Sequence, residues 1–518
     1  MGAKNSGVTK VLTVLILLGG AFLRIYHLFK VDFVHEPFRL GGLFVAFSQQ
    51  IAQNGFRLPV TIPFYSEGGI PYAYPPVGFY VEAALLKLFP GGQLILANFL
   101  PPCLAILTLL CASLLLRAIF RDRDLHFLAG LFACAFIVNA FTNQIEAAGL
   151  AEATGSVALL AYFAGVYRYR NAPNKLNALL AGAALGLCVL ASPGSAVGAA
   201  LLSVLLFVEA IIKRMAQASV WLEGGIMAVS GALISAPYWV TVMLNHGRGI
   251  FILPVLAQYQ MAGGKTPFLW SLLGDLLNFN LSYGGTWTFL WQVVIFLGLL
   301  WLLLKGKPAI PLAFLALFSI PREDVWLIAF PAALLFAYGF ADVLVPLARP
   351  VLEAGPALKK YAVIAVFAVL ALVLVFQPFA YVDAVIADQQ WKLTPVQYDG
   401  VKNAATYIPP QAKVLVLGND ALLEWSPYLL QREVINTKFG LEWQPDKLAK
   451  INDLNTKLQA ARTWDDVLAD VQQMDGQTQI YVLSTQKSLL SALNKASTVS
   501  IQMKLETPDV QVGVLSAP

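Results

Sequence analysis

The chain has 518 residues, 58% of them hydrophobic and only 13% charged, with a formal net charge of +5. A soluble globular fold cannot hide that much apolar side chain from water, so this class is excluded. The small positive balance does not point to nucleic acid; what carries information is where Lys and Arg fall relative to the apolar segments.

The first apolar run, Lys10 to Phe29, follows Lys4 and lacks a small-residue cleavage site after it, which predicts a retained first span. A long loop, residues 30–92, comes next. It contains VDFVHEPFRL, IAQNGFRLP and YAYPPVGFY. The segment Val77 to Leu88 is too short to cross a bilayer and opens after Pro75-Pro76, which predicts a helix lying at the membrane surface. Further spans are predicted over 94–120, 125–141, 149–166, 176–190, 196–212, 220–240, 287–304, 310–320, 325–347 and 361–381, about eleven in all. With this count every basic cluster between spans falls on one side (Arg121 and Arg123, Arg168 to Lys175, Lys213-Arg214, Lys305 and Lys307, Arg349 to Lys360). The N-terminus is therefore expected in the cytoplasm and the C-terminus outside a cell (plasma) membrane. The cysteines, Cys103, Cys111, Cys134 and Cys188, all sit inside apolar segments without metal or disulfide spacing and read as small hydrophobes.

Charged residues become common after Asp383, and no span-length apolar run remains. The predicted organisation is a transmembrane domain, 1–382, and a small extracytoplasmic α/β domain, 383–518. Within the latter, KVLVLG (413–418) and QIYVLST (479–485) read as buried strands. Thr463 reads as the N-cap of a helix with Asp465 and Asp466 in its first turn.

Three turns on the outer face carry charge beside the membrane: Asp32, His35, Glu36 and Arg39 in the first loop; Glu146 after the third span; and Arg322, Glu323 and Asp324. Ionisable groups near hydrocarbon are costly and usually face a cavity, a partner or water. A cavity lined by these carboxylates and an arginine would be able to activate a hydroxyl and hold a phosphate. Each has a plainer reading as well. Asp32 and Glu36 also suit a solvated loop, His35 a neutral loop histidine, Glu146 a helix cap, and Arg322 to Asp324 a self-paired turn. Tyr72 and Tyr74 suit either an interfacial aromatic belt or a substrate platform. His35, Glu36 and Glu146 have the chemistry of divalent-metal ligands, although no spacing demands a metal.

On these residues the chain resembles the GT-C glycosyltransferases, the membrane superfamily that includes the protein O-mannosyltransferases and lipid A aminoarabinose transferases. The likeness rests on His35-Glu36, Ile51 to Pro59, Tyr72 to Tyr80, Glu146, and WSPYLLQREVINTKFGLEW from Trp425 to Trp443. It implies a multi-pass helical fold with an external C-terminal domain. It also implies an inverting transfer of sugar from a polyprenyl-phosphate carrier to an acceptor hydroxyl on protein, lipid or glycan. By the same resemblance Glu36 takes the place of the second acid in an Asp-Glu pair. His35 stands where the first acid would be, leaving Asp32 as the alternative catalytic carboxylate. Glu146 falls where members hold a metal or the acceptor, and Arg322, Lys265 and Arg248 are the candidates for the lipid phosphate. Two other functions compete. A lipid or polysaccharide transporter is disfavoured because the segment centres look nearly free of ionisable residues. A non-catalytic membrane scaffold is kept open by the altered acid pair.

Overall fold

The computed structural model describes residues 6–37, 41–137, 149–214, 218–253, 289–320, 326–354, 357–388, 392–475, 479–486 and 501–516, with isolated positions between 490 and 499. Among the described residues, seven helices are long and apolar enough to cross a membrane: Gly7–Phe29, Gln93–Ile119, Leu150–Asn171, Pro193–Ile212, Ser219–His246, Trp326–Glu353 and Lys359–Ala387. Four shorter apolar helices accompany them, Asp124–Phe136, Lys175–Ala191, Phe289–Leu304 and Ala309–Phe318. Seven of the eleven spans expected from the sequence fall on the long helices; the segments 125–141, 176–190, 287–304 and 310–320 fall, in their described parts, on the four shorter ones. The chain is a multi-pass membrane protein. On the helix Lys359–Ala387, Ile364, Val366, Val369, Leu372 and Phe376 are each more than half exposed, as a helix facing lipid requires.

In a bilayer the lipid tails are as apolar as leucine, so helices associate through close contact rather than hydrophobic exclusion. Gly298 and Gly339 show how close. A Cβ on Gly298 would collide with the Leu335 carbonyl, and one on Gly339 with the Val294 carbonyl. Helix Phe289–Leu304 thus packs backbone to backbone against Ala329–Tyr338 and the π-helical stretch Gly339–Leu344.

One buried ion corrects the impression of spans without charge. Arg24 is 2% exposed in the first helix, Ser6–Ile25. Its guanidinium donates to four carbonyls: Ala105 (3.1 Å), Gly20 (2.9 Å), Ala135 (3.1 Å) and Cys134 (3.0 Å). Cys134 and Ala135 lie in the last turn of helix Asp124–Phe136, where carbonyls run out of intrahelical donors and the helix dipole is negative. Arg24 therefore closes a helix end and ties three helices together, a structural role that five fixed donors suit. It does not by itself mark a transport path.

Between the first helix and the second, the chain builds the 3₁₀ turn Tyr26–Phe29, the helix Gly42–Gln53, the short antiparallel pair Thr61–Ile62 with Ile70–Pro71, and the helix Val77–Leu88. The last begins immediately after Pro75-Pro76 as expected. It packs against Gly42–Gln53 and Leu150–Asn171, with Phe79, Glu82, Ala83 and Leu86 buried.

The C-terminal part is a four-stranded mixed sheet, ordered Val414–Leu417, Gln479–Ser484, Gln511–Ser516, Ile501–Glu506. The first two strands are parallel and the other pairings antiparallel. Both strands read from the sequence are there. The capping turn is there too: the Asp466 amide donates to Thr463 Oγ1 and the Thr463 amide to Asp466 Oδ2, each at 3.1 Å. Helices Pro395–Ala404, Asp420–Leu430, Pro445–Ala460 and Trp464–Asp475 surround the sheet. This unit does not stand apart. Leu441, Leu448 and Ile451 share one apolar cluster with Leu43, Phe47, Tyr65 and Phe79 of the first loop, and Trp425 and Leu422 share another with Val45 and Ala97.

Candidate functional site

The acidic turn of the first loop is built locally. The amides of His35 and Glu36 donate to the Asp32 carbonyl at 3.0 and 2.7 Å, closing a single helical turn. His35 Nδ1 lies 3.0 Å from Asp32 Oδ2, and both side chains are more than half exposed. The imidazole hydrogen bond holds the Asp32 carboxyl below its ordinary range.

Glu36 differs sharply. Its side chain is 16% exposed, and Oε1 lies 3.7 Å from Nζ of Lys392, itself only 9% exposed. Lys392 belongs to the linker between the last span and the C-terminal domain, where its carbonyl accepts from Asn419 Nδ2 at 2.9 Å. From the membrane side, Asn98 of helix Gln93–Ile119 donates through Nδ2 to the carbonyls of Phe33 and Glu36, both at 2.9 Å. Asn98 is 3% exposed. It sits one turn before Pro101-Pro102, which supply no amide donors to the helix. The turn also touches the end of the last span: Lys30 Nζ is 3.8 Å from Asp383 Oδ1.

The two acids proposed from the sequence are thus close in the chain but differently housed. Asp32 is paired with His35 in the open, and Glu36 is sheltered between Asn98 and Lys392. His35 and Glu36 turn to different partners. Among the described residues no three His, Cys, Asp or Glu side chains gather as a metal would require. Glu146, Lys265 and Arg322 lie outside the described residues, as do Arg39, Glu323 and Asp324. Arg248 opens the 3₁₀ turn Arg248–Phe251 and is exposed; its neighbour Ile250 packs with Ala73, Val242 and Trp443.

Tyr72 is not a surface platform. It is 1% exposed, with its ring edge-on to Phe47 at 5.1 Å, and burial pushes its hydroxyl well above the ordinary phenol range. The ring lies in the core shared with Leu441, Leu448 and Ile451 of the C-terminal domain. Tyr74 is half-buried, edge-on to Phe44, Phe79 and Trp443.

Two buried carboxyls in this region escaped the sequence reading. Glu82, 1% exposed, accepts from Ser48 Oγ at 2.5 Å, and burial pushes its carboxyl up to about 7. Glu424, 2% exposed, accepts from the amides of Gly41, Gly42 and Leu43 at 3.1, 2.8 and 2.6 Å. Its spacing gave one clue: it lies on the apolar run ALLEWSPYLL, where a lone acid needs a partner. For Lys392 and Asn98 there was no comparable signal.

A cavity of about 700 Å³ lies at the other end of the bundle, lined by Tyr167, Arg170, Leu206, Lys307 and Leu334 among others. The helix Leu150–Asn171 shows the separation, since Leu150 packs in the first-loop core and Arg170 lines this cavity.

The same architecture recurs in solved structures. ArnT from Cupriavidus metallidurans bound to undecaprenyl phosphate superposes with a TM-score of 0.55 at 17% identity, over the full length of both chains. The Archaeoglobus fulgidus oligosaccharyltransferase, tethered to an acceptor peptide containing the NVT sequon, gives 0.55 at 13% identity over 95% of this chain and 71% of that one. The mycobacterial arabinofuranosyltransferase AftD gives 0.51 at 13% identity over all of this chain and 42% of its own. The fold is that of the GT-C glycosyltransferases. No family model matches the sequence, and no curated protein gives a significant match. At such identities the GT-C likeness speaks for the fold, and the chemistry must be argued from the site.

Proposed function

We propose that this protein is a membrane glycosyltransferase that moves a sugar from a polyprenyl-phosphate carrier to an acceptor hydroxyl outside the membrane, with inversion. The observation that carries the reading is the placement of Glu36: a sheltered carboxylate at the membrane end of a GT-C scaffold, flanked by Lys392 and anchored by Asn98. The full-length likeness to a protein bound to undecaprenyl phosphate supports a lipid carrier of that class. In the reaction the acceptor oxygen attacks the anomeric carbon as the bond to the carrier phosphate breaks. Glu36 takes the hydroxyl proton, and the phosphate leaves on its lipid. Asp32, tied to His35, orders the turn. Lys392 supplies positive charge beside the reacting groups, with Arg322, Lys265 and Arg248 as the further candidates for the phosphate.

The test is transfer of radiolabelled sugar from polyprenyl-phosphate donors in membranes containing the protein. General-base catalysis contributes about 10²–10⁴-fold, so Glu36→Gln is expected to lose that much, while Asp32→Asn keeps most activity. Full activity in Glu36→Gln, Asp32→Asn and the double variant would remove the catalytic assignment and leave the scaffold reading.

A further inference from the structure

Helix Gly42–Gln53 starts without a cap of its own. Its N-cap position is Gly41, which has no side chain to offer. The carboxylate of Glu424, 383 positions later, fills the role: Oε2 accepts from Gly41 and Gly42, and Oε1 from Leu43. An anion at a helix N-terminus meets both the unpaired amides and the positive end of the dipole. The fit is tight. A Cβ on Gly42 would come 2.9 Å from the Trp425 Cα and 3.1 Å from Glu424 Oε2. Tyr65 of the same loop donates to the Glu424 carbonyl at 3.2 Å, and the Val434 amide donates to the Phe64 carbonyl at 3.2 Å. Upstream, Lys392 faces Glu36. The external domain and its linker therefore hold the first loop on both sides of residues 38–40, at Glu36 and again at residues 41–43.

We propose that Glu424 is a positioning residue: by capping the helix that follows the acidic turn, the external domain fixes where the Glu36 carboxylate stands. This rests on Glu36 being the reactive carboxylate. The domain is then part of the transfer machinery rather than a module appended to it. Loss of the cap frees the start of helix Gly42–Gln53, the hold of the C-terminal domain that follows Glu36 in the loop, which lowers turnover and leaves recognition of the carrier elsewhere in the bundle unaffected.

The full chain is tested as Glu424→Ala and Glu424→Gln. Backbone hydrogen–deuterium exchange is followed at residues 41–45, and kcat and KM for the lipid donor are measured per folded molecule. The expected result for Glu424→Ala is faster exchange confined to 41–45 and a kcat lower by about 10- to 100-fold with KM within about twofold, the size expected from losing the buried hydrogen bonds to Gly41, Gly42 and Leu43. Glu424→Gln, which keeps one acceptor oxygen, falls between and serves if the alanine variant does not fold. Unchanged exchange overturns the cap. Faster exchange with wild-type kcat, or loosening spread over the whole external domain with kcat intact, overturns the positioning role. Should the unaltered protein transfer no sugar, the glycosyltransferase reading fails, while the exchange measurement still decides whether the cap exists.

Discussion

Asn98 offers the sharpest test of how the acidic turn is held. It projects from a membrane-spanning helix and donates two 2.9 Å hydrogen bonds, to the carbonyls of Phe33 and Glu36. Asn98→Leu keeps the volume and removes both donors. A net hydrogen bond contributes about 0.5–1.5 kcal/mol, so the two together hold the turn by about 1–3 kcal/mol. If the turn must be closed for Glu36 to meet the acceptor, that loss lowers the transfer rate by about 5- to 150-fold, since each 1.4 kcal/mol is a factor of ten. Asn98→Asp should be worse, because it sets a carboxylate against two carbonyl oxygens. The assay pairs transfer of labelled sugar with hydrogen exchange over residues 30–37. Exchange unchanged from the parent protein, together with kcat within twofold in Asn98→Leu, would refute the idea that Asn98 places the acid.

Further expectations follow from the buried groups. Arg24→Met leaves the end carbonyls of Cys134 and Ala135 without their donor; at about 1–3 kcal/mol for each orphaned group the cost is about 2–6 kcal/mol. The thermal midpoint in detergent should drop by several degrees, and Arg24→Lys, lacking the planar fork, should recover only part of it. For Glu82 the folded value of about 7 lies above the ordinary 4.5. Its stabilising contribution is therefore complete below pH about 4.5 and is lost as pH rises through about 7. At 1.36 kcal/mol per unit this amounts to about 3 kcal/mol, and a pH series of melting curves should flatten by about that much in Glu82→Gln. Gly298→Val should force helices Phe289–Leu304 and Ala329–Tyr338 apart and cut the yield of folded protein. A yield and midpoint equal to those of the parent would show that the backbones need not touch.

The sequence alone determined the features whose physics is local. Apolar length and the placement of Lys and Arg mark out the helices, from Gly7–Phe29 to Lys359–Ala387. The Pro75-Pro76 pair fixes the start of Val77–Leu88, and Thr463 with Asp466 closes a cap within four residues. The turn holding Asp32 and Glu36 stood out because acids beside hydrocarbon are costly. Tertiary structure decided which acid is sheltered and by what. Lys392 meets Glu36 from the far end of the membrane domain, Glu424 caps a helix 383 positions away, and Arg24 finds its carbonyls on two other helices. Tyr72 went into the core for the same reason, because the C-terminal domain closes over the first loop. A helix declares its length through its own residues, but the partner of a buried charge is chosen by whichever chain segment folds against it, and that choice leaves no periodic trace in the sequence.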